Sequence, residues 1–171
     1  MLDINTIRKD FPILDQKVNG QKLIYFDNAA TSQTPNQVVN SIVDYYQRTN
    51  SNIHRGNHKL SIQATTAYED VRKKLQKYFN SRLPQEIIFT SGTTQSINII
   101  TLGYTDLLTS KDEVIVSEME HHSNIVPIQM LCERTGAKLN VNPKDNQGYL
   151  IMKEFDKYHS EKTKLVFESH V

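Results

Sequence analysis

Cysteine is nearly absent from this chain: Cys132 is the only one among 171 residues. No intrachain disulfide can staple the fold, and a reducing compartment suits the sequence. Long apolar runs are missing too, and none is sufficient to span a bilayer. The opening Met1-Leu2-Asp3-Ile4-Asn5 lacks a basic segment followed by an apolar core, so no secretory signal is expected. Charge of one sign is equally scarce. Lys and Arg total 20 against 19 Asp and Glu, for a formal charge of +1, which leaves no broad field for nucleic acid or an anionic membrane. The cluster Arg72-Lys73-Lys74 lies among acidic and apolar residues and reads as a solvated helix face. Neither a Walker loop nor Gly-x-Gly-x-x-Gly occurs, so two common nucleotide cradles are excluded. A cytoplasmic protein without nucleic-acid or membrane partners is the expectation.

What is present alternates. Short apolar, β-branched segments at residues 22–26, 86–90, 113–116, 138–141 and 163–167 read as strands, and amphipathic segments between them read as helices. Thr34-Pro35 should open a helix whose stripe of Val38, Val39, Ile42, Val43, Tyr45 and Tyr46 is buried. A second helix should bury Ala64, Ala67, Val71, Leu75 and Tyr78. Ser123 or Asn124 should cap a helix over residues 125–135, stopped by Gly136. The fold class implied is α/β, with a parallel-rich sheet and helices on both faces. Residues 1–60 would carry amino-terminal helices, a short strand and loops, and residues 61–171 the first part of a larger domain. After the last strand only Glu168-Ser169-His170-Val171 remain, so the domain is expected to be truncated at the edge where such sheets place ligand loops.

Three loops after strands carry candidate chemistry: residues 27–31, 91–94 and 118–124. The middle one, Ser91-Gly92-Thr93-Thr94, joins a strand to a helix, where backbone N–H groups and the positive dipole end can hold a phosphate. Thr93 and Thr94 would add hydroxyls, unless one of them simply caps the helix. His121 could stack on a planar ligand and move a proton near neutral pH, or merely bond at a helix start. His54-x-x-x-His58 has the spacing of a helical zinc pair, but Arg55-Gly56-Asn57 between them is poor helix and no Glu follows His54, so no metal is expected. Cys132 sits mid-helix without a cationic neighbour and reads as a core residue.

Taken together, Tyr25-Phe26-Asp27-Asn28-Ala29-Ala30-Thr31, Asn52-Ile53-His54-Arg55-Gly56, Phe89-Thr90-Ser91-Gly92-Thr93-Thr94 and Met119-Glu120-His121-His122-Ser123-Asn124-Ile125-Val126-Pro127 resemble the amino-terminal half of a SUF-type cysteine desulfurase. That group belongs to the class V aminotransferases, pyridoxal 5'-phosphate enzymes of fold type I. The resemblance implies that Thr93 and Thr94 bind the cofactor phosphate and that His121 stacks on the ring and assists proton transfer. It places Ala29 and Ala30 beside the substrate carboxylate, and His54 and Arg55 in a loop lining the site near a homodimer interface. It further implies L-cysteine as substrate, a sulfur-acceptor protein as partner, and a role in iron-sulfur cluster assembly. Ser91 and Gln95 depart from the Arg and Glu that the family often carries there. The family's covalent lysine, persulfide cysteine and carboxylate-binding arginine would follow residue 171, so the chain alone is expected to be inactive. Alternatives are a selenocysteine lyase, another class V enzyme such as an epimerase-like protein, or a non-catalytic remnant or split-gene subunit.

Overall fold

The computed structural model describes residues 2–169; His170 and Val171 of the expected tail lie outside them. Packing divides the chain into two units, Met1–Ile87 and Ile88–Val171.

The second unit is built on β3 (Glu113–Ser117), the central strand of a three-stranded sheet in the order β4-β3-β5. Strands β4 (Lys138–Asn142) and β5 (Thr163–Phe167) both pair with it in parallel. Val114, Ile115 and Val116 are at most 2% exposed, as a run of β-branched residues covered on both faces should be. Each such side chain contributes about 1.5–3 kcal/mol on burial. On one face Val114 and Val116 meet Ile128, Leu131 and Cys132 of α5 (His122–Thr135), with Leu108 and Ala137 closing the cluster. The route β3 to β4 steps one way across the sheet, and β4 to β5 steps back past β3. Right-handed crossovers therefore put α5 and α6 (Met152–Tyr158) on opposite faces. The α/β, parallel-sheet expectation holds.

Helix α4 (Thr93–Tyr104) packs on α5, and its carboxyl end returns through residues 105–112 to the amino edge of β3. Helix α5 likewise ends at Gly136, just before the amino edge of β4. Helix α5, between the parallel strands β3 and β4, thus runs from the carboxyl edge of the sheet toward its amino edge.

The expected strand at residues 86–90 does not form. Pro84–Glu86 is a 3-10 turn, and residues 87–90 join no ladder among the described residues, with Ile88 67% exposed.

The first unit contains α1 (Ile4–Arg8), a small antiparallel hairpin of β1 (Lys17–Val18) and β2 (Gln21–Lys22), α2 (Asn36–Asp44) and α3 (Lys59–Tyr78). Only Gln21 and Lys22 pair where residues 22–26 were expected to be a strand; beyond them Ile24 and Phe26 point into solvent. Apolar alternation qualified this segment for a sheet, but no neighbouring strand supplies hydrogen bonds among the described residues. Pro35 is the cap of α2 rather than its first residue. Its apolar stripe, including Val38, Val39, Ile42 and Val43, is exposed instead of buried, because no other element covers it among the described residues. In α3 only Ala64 of the expected inner face is buried; Val71 and Tyr78 are exposed.

Candidate functional site

The turn into α4 depends on Gly92, whose φ of 154° and ψ of 177° lie in a region essentially restricted to glycine. A Cβ there would meet nothing within 4 Å, so backbone conformation rather than space demands glycine. Gly92 is also the N-cap, and no side chain caps the helix. The capping alternative for Thr93 and Thr94 is therefore not what the chain adopts: both stand at the helix start, exposed. The Ser96 N–H is the first of this turn to find a helical acceptor, the Gly92 carbonyl at 3.1 Å. Around the turn, Gln95 Oε1 accepts from the Ser91 N–H at 2.6 Å and from its hydroxyl at 3.0 Å. Thr90 Oγ1 lies 2.7 Å from Ser96 Oγ. The segment before α4 is thus tied to the helix by side chains, while the amides of Thr93, Thr94 and Gln95 have no acceptor among the described residues and remain free for an anion.

His121, not Ser123 or Asn124, is the cap of α5. Its Nδ1 accepts from the Ser123 N–H at 3.1 Å and lies 2.8 Å from Ser123 Oγ. Because a backbone N–H can only donate, the neutral imidazole carries its proton on Nε2. The ring is exposed, with the His122 ring edge-on at 6.2 Å. Thr93 and His121 therefore each stand at the start of a helix, and the two helices pack on each other.

Next to His121 in the chain, Glu120 anchors a polar cluster that the sequence reading does not single out. Glu120, 7% exposed, accepts four hydrogen bonds: from Ser117 Oγ, Asn124 Nδ2, and the N–H and hydroxyl of Ser169. Burial by itself pushes this carboxyl up, but the four donors outweigh it and hold it below the usual glutamate range. The spacing of Ser117, Glu120 and Asn124 was visible in the sequence; Ser169, 49 residues away, was not. Nearby, Asn124 Oδ1 and both amide atoms of Asn142 are buried without a partner among the described residues. Polar capacity for a ligand or water therefore remains here.

In the first unit, Ala29 and Ala30 lie in an exposed turn closed by the Thr31 N–H to the Asp27 carbonyl at 3.0 Å and braced by the Tyr25 hydroxyl on the Thr31 carbonyl at 2.6 Å. His54, at a φ of 66°, has Nε2 2.9 Å from Glu69 Oε1 and its ring edge-on to Tyr68. Arg55 is exposed. His58 instead caps α3, accepting from the Ser61 N–H; the two rings serve different partners. Gly56 lets this loop close, since a Cβ would sit 2.5 Å from the buried Ser61 Oγ.

The parallel sheet with its connecting helices has the fold of the type I pyridoxal-phosphate enzymes. The aminotransferase class-V family matches residues 24–171, and the chain belongs to that family. A probable cysteine desulfurase of Staphylococcus aureus is 48% identical over 170 residues, covering 99% of this chain and 41% of its own. Its counterpart in Synechocystis is 47% identical over 167 residues, covering 97% and 40%. Among solved structures, the apo cysteine desulfurase of Thermococcus onnurineus superposes with a TM-score of 0.85 at 36% identity, over 97% of this chain and 40% of its own. An Escherichia coli cysteine desulfurase gives 0.77 at 29%, over 97% and 41%. The chain spans about 40% of the length of these relatives.

Proposed function

We propose that this chain is the cofactor-holding amino-terminal part of a pyridoxal-phosphate-dependent cysteine desulfurase, which converts L-cysteine to L-alanine and leaves the sulfur as a protein persulfide. The observation that carries it is the uncapped first turn of α4, where free amides and the hydroxyls of Thr93 and Thr94 sit at the positive end of the helix dipole. A phosphate monoester fits this donor set, and the names of the relatives favour cysteine as the substrate. When bound, the cofactor supplies an electron sink for bond cleavage at the substrate.

The chain's own residues then divide the work. Thr93 and Thr94 anchor the phosphate. His121 lies against the ring and moves a proton at Nε2, the nitrogen left available because Nδ1 is held by Ser123. Ala29 and Ala30 leave backbone amides open beside the substrate carboxylate. His54 and Arg55 line the site near a homodimer interface, with His54 oriented by Glu69. In this reading residues 1–60 supply the accessory helices and loops, and residues 61–171 the start of the cofactor domain. The persulfide forms on a cysteine other than Cys132 and passes to a sulfur-acceptor protein for iron-sulfur cluster assembly in the cytoplasm.

Titration of the chain with pyridoxal phosphate, followed by amide and imidazole NMR, tests the site. Shifts concentrated at Thr93, Thr94 and the His121 ring are expected, and Thr94→Ala should weaken binding severalfold. Shifts confined to surface lysines would overturn the assignment.

A further inference from the structure

The Glu120 carboxylate gathers donors from three elements. Its Oε1 accepts from Ser117 Oγ at 2.7 Å and from the Ser169 N–H at 2.6 Å; its Oε2 accepts from Asn124 Nδ2 at 2.7 Å and from Ser169 Oγ at 2.7 Å. Ser117 ends β3, Asn124 lies in the first turn of α5, and Ser169 follows β5. Both oxygens are thus fully engaged, and hydrogen bonds to an ionised acceptor are the strong ones. The same residues bracket His121. It follows Glu120 directly, and its carbonyl accepts the Asn124 N–H at 2.8 Å and the Ile125 N–H at 3.1 Å. Asn124 is therefore held by its side chain to Glu120 and by its backbone to His121. The backbone on either side of the imidazole is fixed to the carboxylate below, while Ser123 fixes the ring from above.

We propose that Glu120 is a positioning residue: its carboxylate clamps the segment leaving β5 to the start of α5 and so holds the His121 imidazole in place. That His121 needs holding for chemistry rests on the cofactor reading; the clamp itself does not. The segment after β5 is drawn to the loop after β3, the edge at which an open parallel sheet takes its ligand. Removing the carboxylate strips the buried Asn124 side-chain amide of its acceptor and releases the N–H and hydroxyl of the exposed Ser169 to solvent, so the two loops separate. Gln keeps one carbonyl oxygen, and Asn124 can turn its amide to meet the new NH₂, so Glu120→Gln should retain part of the clamp.

The test compares the 171-residue chain with Glu120→Ala, Glu120→Gln and the exposed-site control Glu133→Gln. Amide exchange at Ser169 and the His121 ring nitrogen shifts are read by NMR, and inorganic phosphate is titrated against the Thr93 and Thr94 amides. The expected result is at least tenfold faster Ser169 exchange and displaced or broadened His121 ring signals in Glu120→Ala. Glu120→Gln should fall between, the control should match wild type, and the phosphate response should be unchanged throughout. If Glu120→Ala does not fold, Ser117→Ala and Glu120→Gln carry the test with the same two signals. Unmoved His121 signals in a folded variant would overturn the proposal, and so would loss of the phosphate response together with them, which would mark general destabilisation. If wild type shows no phosphate response while Ser169 and His121 still move together, the clamp stands and the cofactor reading is what fails.

Discussion

Burial and hydrogen bonds from neutral donors act in opposite senses on a carboxylate, and Glu120 shows which effect wins here. Its partners Ser117, Asn124 and Ser169 carry no charge. Desolvation raises its pKa, yet the hydrogen bonds depress it further than burial lifts it. A carboxyl depressed in the folded state binds its proton more readily in the unfolded chain. Its stabilisation is therefore complete above the unfolded value of about 4.3 and drains away as pH falls through the lower folded value. Urea unfolding followed from about pH 6 to pH 3 should show wild type losing more stability on acidification than Glu120→Gln, which has no proton to gain there. Parallel curves would mean that the carboxylate is not held as its four contacts indicate. Sequence alone could place Glu120 beside a helix start but not give it Ser169, since nothing local links residues 49 positions apart. The cap was expected at Ser123 or Asn124, whereas the other reading, His121 bonded at a helix start, is what its contact with the Ser123 N–H shows. Serine and asparagine are the commoner caps, and Ser123 enters here as donor to the imidazole rather than as acceptor.

At the scale of elements, legibility followed partners. The β3 pattern of Glu113-Val114-Ile115-Val116 and the α5 pattern up to Gly136 matched the structure because the second unit covers both with its own residues. Residues 23–26 and 87–90 are as apolar, yet they join no ladder among the described residues; periodicity states which side chains could be buried, not whether a neighbour is there to bury them. The exposed stripe of α2 teaches the same point. The turn before α4 was legible by a different route, through small residues around a glycine, and its geometry makes a sharp contrast possible. Gly92→Ala forces a Cβ onto a glycine-only conformation and should cost about 1–3 kcal/mol by urea unfolding, with a weaker phosphate response at Thr93. Gly103→Ala, in the helical part of the same element with open space around it, should be neutral or stabilising by up to about 1 kcal/mol. Equal losses at both positions would show that the turn is not special.

At the scale of the molecule, the proposed desulfurase chemistry needs a thiolate that can reach a substrate sulfur, and this chain has one cysteine to offer. Cys132 is 7% exposed in the core between α5 and the sheet, and burial pushes its thiol pKa up. A thiol so placed is neither ionised at neutral pH nor accessible, so it behaves as a small apolar residue. Anchoring at the α4 start is modest by comparison with covalent attachment, since a charge at a helix end is worth about 0.3–2 kcal/mol. The 171-residue chain should accordingly take up pyridoxal phosphate weakly and, given L-cysteine and a reductant, release sulfide no faster than free pyridoxal phosphate does. A thiol reagent should label Cys132 in urea but not in the folded chain at neutral pH. Rapid labelling of the folded chain together with catalytic sulfide release would make Cys132 the sulfur carrier and overturn the division of labour proposed for these residues.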